Sequence, residues 1–160
     1  DSAGNQVDQL DVMGLTTDKS IGRSRQDGSL VYYEPPSPGS ENSDEEFFGI
    51  TSNEIVFSHS GGQFNGQSIS LSGATQGEQI RYTLDATVPN AQSPLYSSAI
   101  SIDRDTVVRA MVFQNDYIPS RTASRTYITS NTHDLPIVTL VTEPDDLFDN
   151  NEGIYVYGPE

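Results

Sequence analysis

Thr106-Val107-Val108-Arg109-Ala110-Met111-Val112-Phe113 is the stretch on which the fold turns. Side chains alternate between the faces of a strand, so Val108, Ala110 and Val112 share one face. Val107, Arg109, Met111 and Phe113 share the other. A run that is apolar on both sides predicts a central strand. Working outward, Ile80, Tyr82 and Leu84 alternate with Arg81 and Thr83, and Ile69 and Leu71 alternate with Ser68, Ser70 and Ser72. Ile100 and Ile102 flank Ser101, and Arg125-Thr126-Tyr127-Ile128 closes the series. Turn chemistry separates these runs at Gly61-Gly62, Asn65-Gly66, Thr75-Gln76-Gly77 and Asn115-Asp116. Almost nothing reads as helix. Short alternating strands recurring every 10–20 residues or so predict an all-β, antiparallel β-sandwich rather than a parallel α/β sheet.

Around this middle the composition changes. The 160 residues include 23 acids, one Lys and seven Arg, for a formal net charge of −15. Residues 1–54 hold 11 acids and 3 bases, residues 55–130 hold 5 of each, and residues 131–160 hold 7 acids and no base. A neutral middle between acidic flanks marks module boundaries. An acidic chain with few cations lacks the Lys/Arg surface that nucleic acid or an anionic membrane requires. Leu, Ile, Val and Phe total 37 of 160, enough for a core but not for one that fills the whole chain. No apolar run approaches a membrane span; the longest, Ile137-Val138-Thr139-Leu140-Val141, is strand-sized. With no Cys there is no disulfide framework, Cys-ligated zinc or Cys nucleophile. No signal peptide is legible at Asp1-Ser2-Ala3-Gly4, and both ends read as cuts through a longer polypeptide.

Three prolines in Glu34-Pro35-Pro36-Ser37-Pro38-Gly39-Ser40-Glu41-Asn42 fix φ and remove donors, which predicts an extended connector. Residues 44–54 read as an acidic linker. A polar connector, Ser130-Asn131-Thr132-His133-Asp134, follows the middle, and Gly153-Ile154-Tyr155-Val156-Tyr157 reads as a strand. The expected organisation is therefore 1–43, the linker 44–54, a sandwich over 55–129, and a further segment over 130–160.

The middle carries a specific resemblance. Ile80-Arg81-Tyr82-Thr83-Leu84-Asp85-Ala86-Thr87-Val88-Pro89, then Ser93, Tyr96, Val107-Val108-Arg109-Ala110, Pro119-Ser120 and Thr126-Tyr127-Ile128, resembles the chitobiase/β-hexosaminidase C-terminal-type module, also called fibronectin type III-associated. The resemblance implies a small immunoglobulin-like sandwich appended to secreted enzymes and surface proteins. Ala86 and Asp116 stand where that family commonly has a turn glycine, so altered turn geometry on the same fold is expected. In the first flank, Ser20-Ile21-Gly22-Arg23, Asp27-Gly28 and Pro36-Ser37-Pro38-Gly39-Ser40-Glu41-Asn42 are similar to the end of a bacterial lamin-tail domain. In the last, Leu135-Pro136-Ile137-Val138-Thr139-Leu140, Asp145-Asp146-Leu147-Phe148-Asp149 and Gly153-Ile154-Tyr155-Val156 look like the opening of a CotH-type domain, related to spore-coat kinases. The nucleotide- and metal-binding residues of such a kinase would lie far downstream, outside this chain.

No catalytic residue emerges from the residues themselves. His59 and His133 sit in polar surroundings, and no G-x-S-x-G turn accompanies them, so both read as exposed loop or strand-edge residues. Asp103 and Asp105 flank Arg104 in a predicted turn, where neither would gain the burial a glycosidase acid needs; Asp145/Asp146 and Glu45/Glu46 complete the paired carboxylates. Asp149-Asn150-Asn151-Glu152-Gly153 offers hard oxygen ligands, with Asp149 and Asn151 as candidate calcium ligands. The EF-hand register fails there, because Gly153 falls one position early, and an acidic turn is the plainer reading. No other cofactor is implied. Tyr82 and Tyr127 lie in strand patterns and read as core, whereas Tyr96 and Tyr117 lie in loops and are the candidate ligand-binding residues, able to stack on sugar rings.

The expected function is a non-catalytic connector or accessory module of a large secreted or cell-surface bacterial protein. Its partners would be the neighbouring domains of the same polypeptide, with no nucleic acid and no membrane insertion. Two other readings remain beside it: a glycan-binding or adhesion module that meets a glycan or a surface protein through Tyr96 and Tyr117, and a fragment of a CotH-type kinase parent with no activity of its own.

Overall fold

The computed structural model describes residues 4–6, 9, 15, 17–51, 54–65, 68–130, 136–142, 144–149 and 153–155. The chain divides into two compact units, one of residues 1–50 with 115–118 and one of residues 51–114 with 119–160.

The first unit is built on a hairpin. Strands β1 (Ser20–Arg23) and β2 (Leu30–Tyr33) pair antiparallel, with Ser20 opposite Tyr33 and Arg23 opposite Leu30. Asp27 accepts the Ser29 N–H at 2.9 Å, and Gly28 supplies φ 77° in the same turn. The other edge of β2 is occupied by Phe47, which exchanges both backbone bonds with Tyr32 (2.8 and 3.0 Å). The pairing continues as Phe48 N–H donates to Asp116 C=O and Ile118 N–H donates to Gly49 C=O. Within the 44–54 stretch, Phe47 and Ile50 thus make isolated bridges, to Tyr32 and Ile118. Val31, Tyr33 and Ile118 are buried. Glu46 binds the polar side of this unit together, accepting from Ser24 Oγ (2.8 Å), Tyr33 Oη (3.2 Å) and Arg25 N–H (3.3 Å).

The second unit is the sandwich. Its first layer contains β4 (Gly62–Gln63), β7 (Gln79–Thr83), β9 (Thr106–Phe113) and β10 (Ala123–Ile128), in the order β4-β10-β9-β7. The 106–113 run is central, as its two apolar faces predict, and its partners on either side are antiparallel. The second layer consists of two short ladders. β3 (Val56–Phe57) pairs with β6 (Leu71–Ser72), and β5 (Ser68–Ile69) pairs with β8 (Ile100–Ser101). The core between the layers joins Ile80, Val108, Ala110, Val112 and Tyr127 to Ile55, Phe64, Ile69, Leu71, Ile100 and Ile102. The fold class is all-β with an immunoglobulin-like sandwich, as expected.

Local details depart from the sequence reading. Gly61-Gly62 is not a simple turn: Gly62 and Gln63 run parallel to Tyr127 and Ile128, and Phe64 N–H donates to Ile128 C=O at 2.8 Å. Gly61 and Gly62 both take positive φ, which lets the backbone swing into that pairing. The 137–141 run forms no strand. A five-residue helix, α1 (Pro144–Phe148), follows it, which the sequence did not suggest. Ile154 and Tyr155 form a turn rather than a strand, their N–H groups donating to Asp146 and Leu147 C=O (3.2 and 2.9 Å); residues 156 and 157 lie outside the described residues.

Gly73 is the most constrained backbone position of the sandwich. Its φ is 116°, and a Cβ there would sit 1.7 Å from Glu54 O. Only glycine fits this approach.

Candidate functional site

The residues that carry the sequence motif are held in the turns and ladders of the sandwich. Asp85 Oδ1 accepts from Thr87 Oγ1 (2.6 Å) and Thr87 N–H (3.1 Å), and Thr83 Oγ1 donates to Thr87 C=O (2.6 Å). Those bonds, the Thr87 hydroxyl first and its N–H second, hold the Asp85 carboxyl below the usual carboxylate range. Asp85 is a turn-former. Next to it Ala86 takes φ 67°, and Arg109 Nη1 donates to Ala86 C=O at 2.7 Å. Asp116 takes φ 60°. Ala86 and Asp116 therefore both adopt the left-handed backbone that glycine favours.

Ser93, Ser120 and Tyr127 are equally committed. Ser93 Oγ accepts Asn90 N–H (2.9 Å), while its C=O takes the Arg81 guanidinium (2.7 Å). Ser120 Oγ accepts the Val112 N–H (2.8 Å) and donates to Arg121 C=O (3.0 Å). Val112 is fully buried, so an unsatisfied N–H there would be costly; Thr51 Oγ1 donates to the Val112 C=O at 3.2 Å. Tyr127 Oη donates to His59 C=O at 2.9 Å, and burial pushes its phenol pKa up.

His59 corrects an expectation. It is half-buried, with its ring 5.0 Å edge-on to Phe64 and 5.9 Å from Tyr127, so it belongs to an aromatic cluster rather than to an exposed loop. Its Nδ1 accepts the Gly61 N–H at 3.2 Å. The histidine thus organises the entry to β4. His133 lies outside the described residues.

Asp105 accepts from Thr129 N–H (2.8 Å), Thr129 Oγ1 (3.1 Å) and Ser130 (3.4 Å), closing the end of β10. Its pKa is lowered, chiefly by the Thr129 N–H. Asp103 is exposed. Glu46 is taken up in the first unit as described above. Asp149 is half-buried, and its C=O accepts the Gly153 N–H (2.9 Å) in the turn after α1; Asn151 lies outside the described residues. Among the described residues, no group of three His, Cys, Asp or Glu side chains is arranged to hold a metal.

Of the two candidate tyrosines, Tyr96 belongs to the sandwich and Tyr117 to the first unit. Tyr117 is half-buried against Gly49, where an added Cβ would meet its ring at 2.7 Å. Tyr96 packs on the core edge-on to Tyr82, with ring centroids 6.4 Å apart. It also lines an open groove of about 410 Å³ with Leu71, Ser72, Gly73, Glu78 and Leu95. Sequence reasoning missed the part Tyr82 plays: this tyrosine lines a second groove, of about 340 Å³, with Leu84, Asp85, Pro94 and Arg104. The signal was the same alternation that marked Tyr82 as core, because the ring is half-buried and both packs on the core and lines the groove.

Residues 59–124 match the family model of the chitobiase/beta-hexosaminidase C-terminal domain. The match covers β4 to the start of β10 and leaves the first unit's hairpin and the region after β10 outside it. In that family the domain is a non-catalytic C-terminal module of glycosidases and part of a larger polypeptide. No curated protein and no solved structure matches the chain. No described helix is long and apolar enough to cross a membrane.

Proposed function

We propose that the chain is a connector in a large secreted or cell-surface bacterial protein, with the chitobiase-type sandwich as a spacer between neighbouring modules. The observation that carries this reading is how the motif side chains are used. Ser93, Ser120 and Tyr127 spend their polar atoms on backbone or neighbouring side chains of the same unit, and Asp85 Oδ1 is taken by Thr87, so they do not converge on a reacting atom. Motif residues used in this way to maintain turns and ladders support a mechanical role. On this reading residues 1–43 are the end of a lamin-tail-like domain and residues 130–160 the start of a CotH-type one, after their sequence resemblances. The acidic flanks keep the parent soluble and self-repelling.

The test is a turnover assay on the purified chain with aryl glycosides and chitooligosaccharides, and with ATP and Mg²⁺. The expected result is no hydrolysis and no nucleotide binding. Hydrolysis that survives repurification and is lost in a point variant of this chain would overturn the reading.

A further inference from the structure

The two tyrosine grooves have a composition that the connector role does not use. Tyr82 and Tyr96 meet edge-on at 6.4 Å and 77°, so each ring fixes the other and neither is free to collapse into its groove. Tyr96 faces one groove and Tyr82 the other, and Pro94 and Leu95 lie on the segment between them. That segment is itself held rigidly, because Tyr82 N–H donates to Pro94 C=O (3.1 Å) and Tyr96 N–H donates to Ile80 C=O (2.8 Å). Leu84 and Leu95 remain 44% and 48% exposed, which for leucines beside two tyrosines makes an apolar floor open to solvent.

Polar groups of both signs rim the floor. Arg104 lines the Tyr82 groove, and among the described residues no ion pair engages its guanidinium. Asp85 lines the same groove, ionised and positioned by Thr87. Glu78 lines the Tyr96 groove, positioned by Thr75 N–H (2.7 Å) and Thr75 Oγ1 (2.9 Å). Asp103 and Asp105 flank Arg104 in the chain, and Asp105 is committed to Thr129 and Ser130.

We infer that this flank of the sandwich binds a neutral saccharide, with sugar rings seated against Tyr82 and Tyr96. An anionic ligand is disfavoured, since Asp85 offsets Arg104 in the Tyr82 groove and Glu78 stands in the Tyr96 groove, whose lining holds no cation. A cationic one would meet Arg104. A purely apolar one would leave the ionised rim desolvated and unpaired. A pyranose satisfies all three conditions. It is uncharged, it has a C–H face for the tyrosine rings, and each hydroxyl both donates and accepts, matching a rim of guanidinium and carboxylates. Volumes of about 340 and 410 Å³ lie within the range of small-ligand sites.

The experiment is an ¹H–¹⁵N chemical-shift titration of the full chain with cellobiose and, separately, N,N′-diacetylchitobiose. Saturable shifts are expected at Thr83–Ala86, Leu95, Tyr96 and Arg104 with at least one disaccharide. Arg104→Ala should weaken that binding about tenfold, as loss of a charged hydrogen bond does. Tyr82→Phe should keep it, and Tyr82→Ala should abolish it; because Tyr82 also packs on the core, Arg104→Ala is the decisive variant. No saturable shift with either disaccharide, shifts mapping elsewhere, or binding unaltered by Arg104→Ala would overturn the inference.

Discussion

The two units hold themselves together by different means. The sandwich closes on an apolar cluster that runs from Ile55 to Tyr127, with Val108, Ala110 and Val112 at its centre. Among its described residues the first unit buries few side chains, and one carboxylate, Glu46, gathers a serine, a tyrosine and a backbone N–H. An apolar core is non-directional and tolerates change of shape better than loss of volume, whereas a polar hub depends on every partner being present. The units should therefore respond to different perturbations.

The largest effect is expected at Gly73. Replacing it with Ala drives a Cβ into Glu54 O and strains a left-handed backbone, so Gly73→Ala should cost the sandwich about 3 kcal/mol or more, measured by urea unfolding. Next comes the core itself: Ile69→Ala, at a site 1% exposed, should cost about 2–5 kcal/mol through lost burial and a residual cavity. Neither change should alter hydrogen exchange of Val31 or Tyr33 below global unfolding. If it did, the two units would not be independent in stability.

The reciprocal perturbation is Glu46→Gln. It removes the charge from the hub while keeping its shape, and the expected cost is about 1–2 kcal/mol, since hydrogen bonds to charged groups are worth more than neutral ones. The loss should appear as faster exchange across β1 and β2, with β9 unchanged. A smaller effect of opposite sign is expected at Ala86, where glycine relieves a φ of 67°: Ala86→Gly should stabilise by about 0.5–1 kcal/mol, the left-handed strain exceeding the added freedom of the unfolded chain. The smallest concerns pH. Asp105 and Asp85 in the sandwich and Asp27 in the hairpin all have lowered carboxyl pKa values in the folded state. Such groups contribute stability that is complete above the ordinary carboxylate range and is lost as pH falls through the lowered folded values. Asp105→Asn should flatten the acid limb of the sandwich's stability curve only.

The same contrast explains what the sequence revealed. Thr106–Phe113 was legible end to end, because a run of eight residues apolar on both faces is the mark of a central strand. The strands at 68–72, 79–83, 100–101 and 123–128 followed from their alternation of apolar and polar residues. Gly62–Gln63 was not legible as a strand: two residues without an apolar side chain carry no period, and their pairing with β10 is set by backbone freedom at Gly61 and Gly62. The hub at Glu46 was hidden because its partners at 24, 25 and 33 are distant in sequence, and a carboxylate within an acidic run reads as solvated. His59 was misjudged on its serine neighbours, whereas its surroundings are Phe64 and Tyr127, brought together by the fold. Of the candidate site, Tyr96 was named and Tyr82 was assigned to the core. The second assignment holds for one side of its ring and misses the groove on the other.

Native-state hydrogen exchange of the full chain tests the central claim most directly, namely that the motif residues are the framework of a self-supporting sandwich. Amides of β7, β9 and β10 are expected to exchange only through global opening of that unit, and Ser120→Ala, which strips the Val112 N–H of its acceptor, should accelerate all of them together while β1 and β2 keep their own, faster rate. Acceleration confined to Val112 and its immediate neighbours, or protection in β9 no higher than in β1 and β2, would contradict the account.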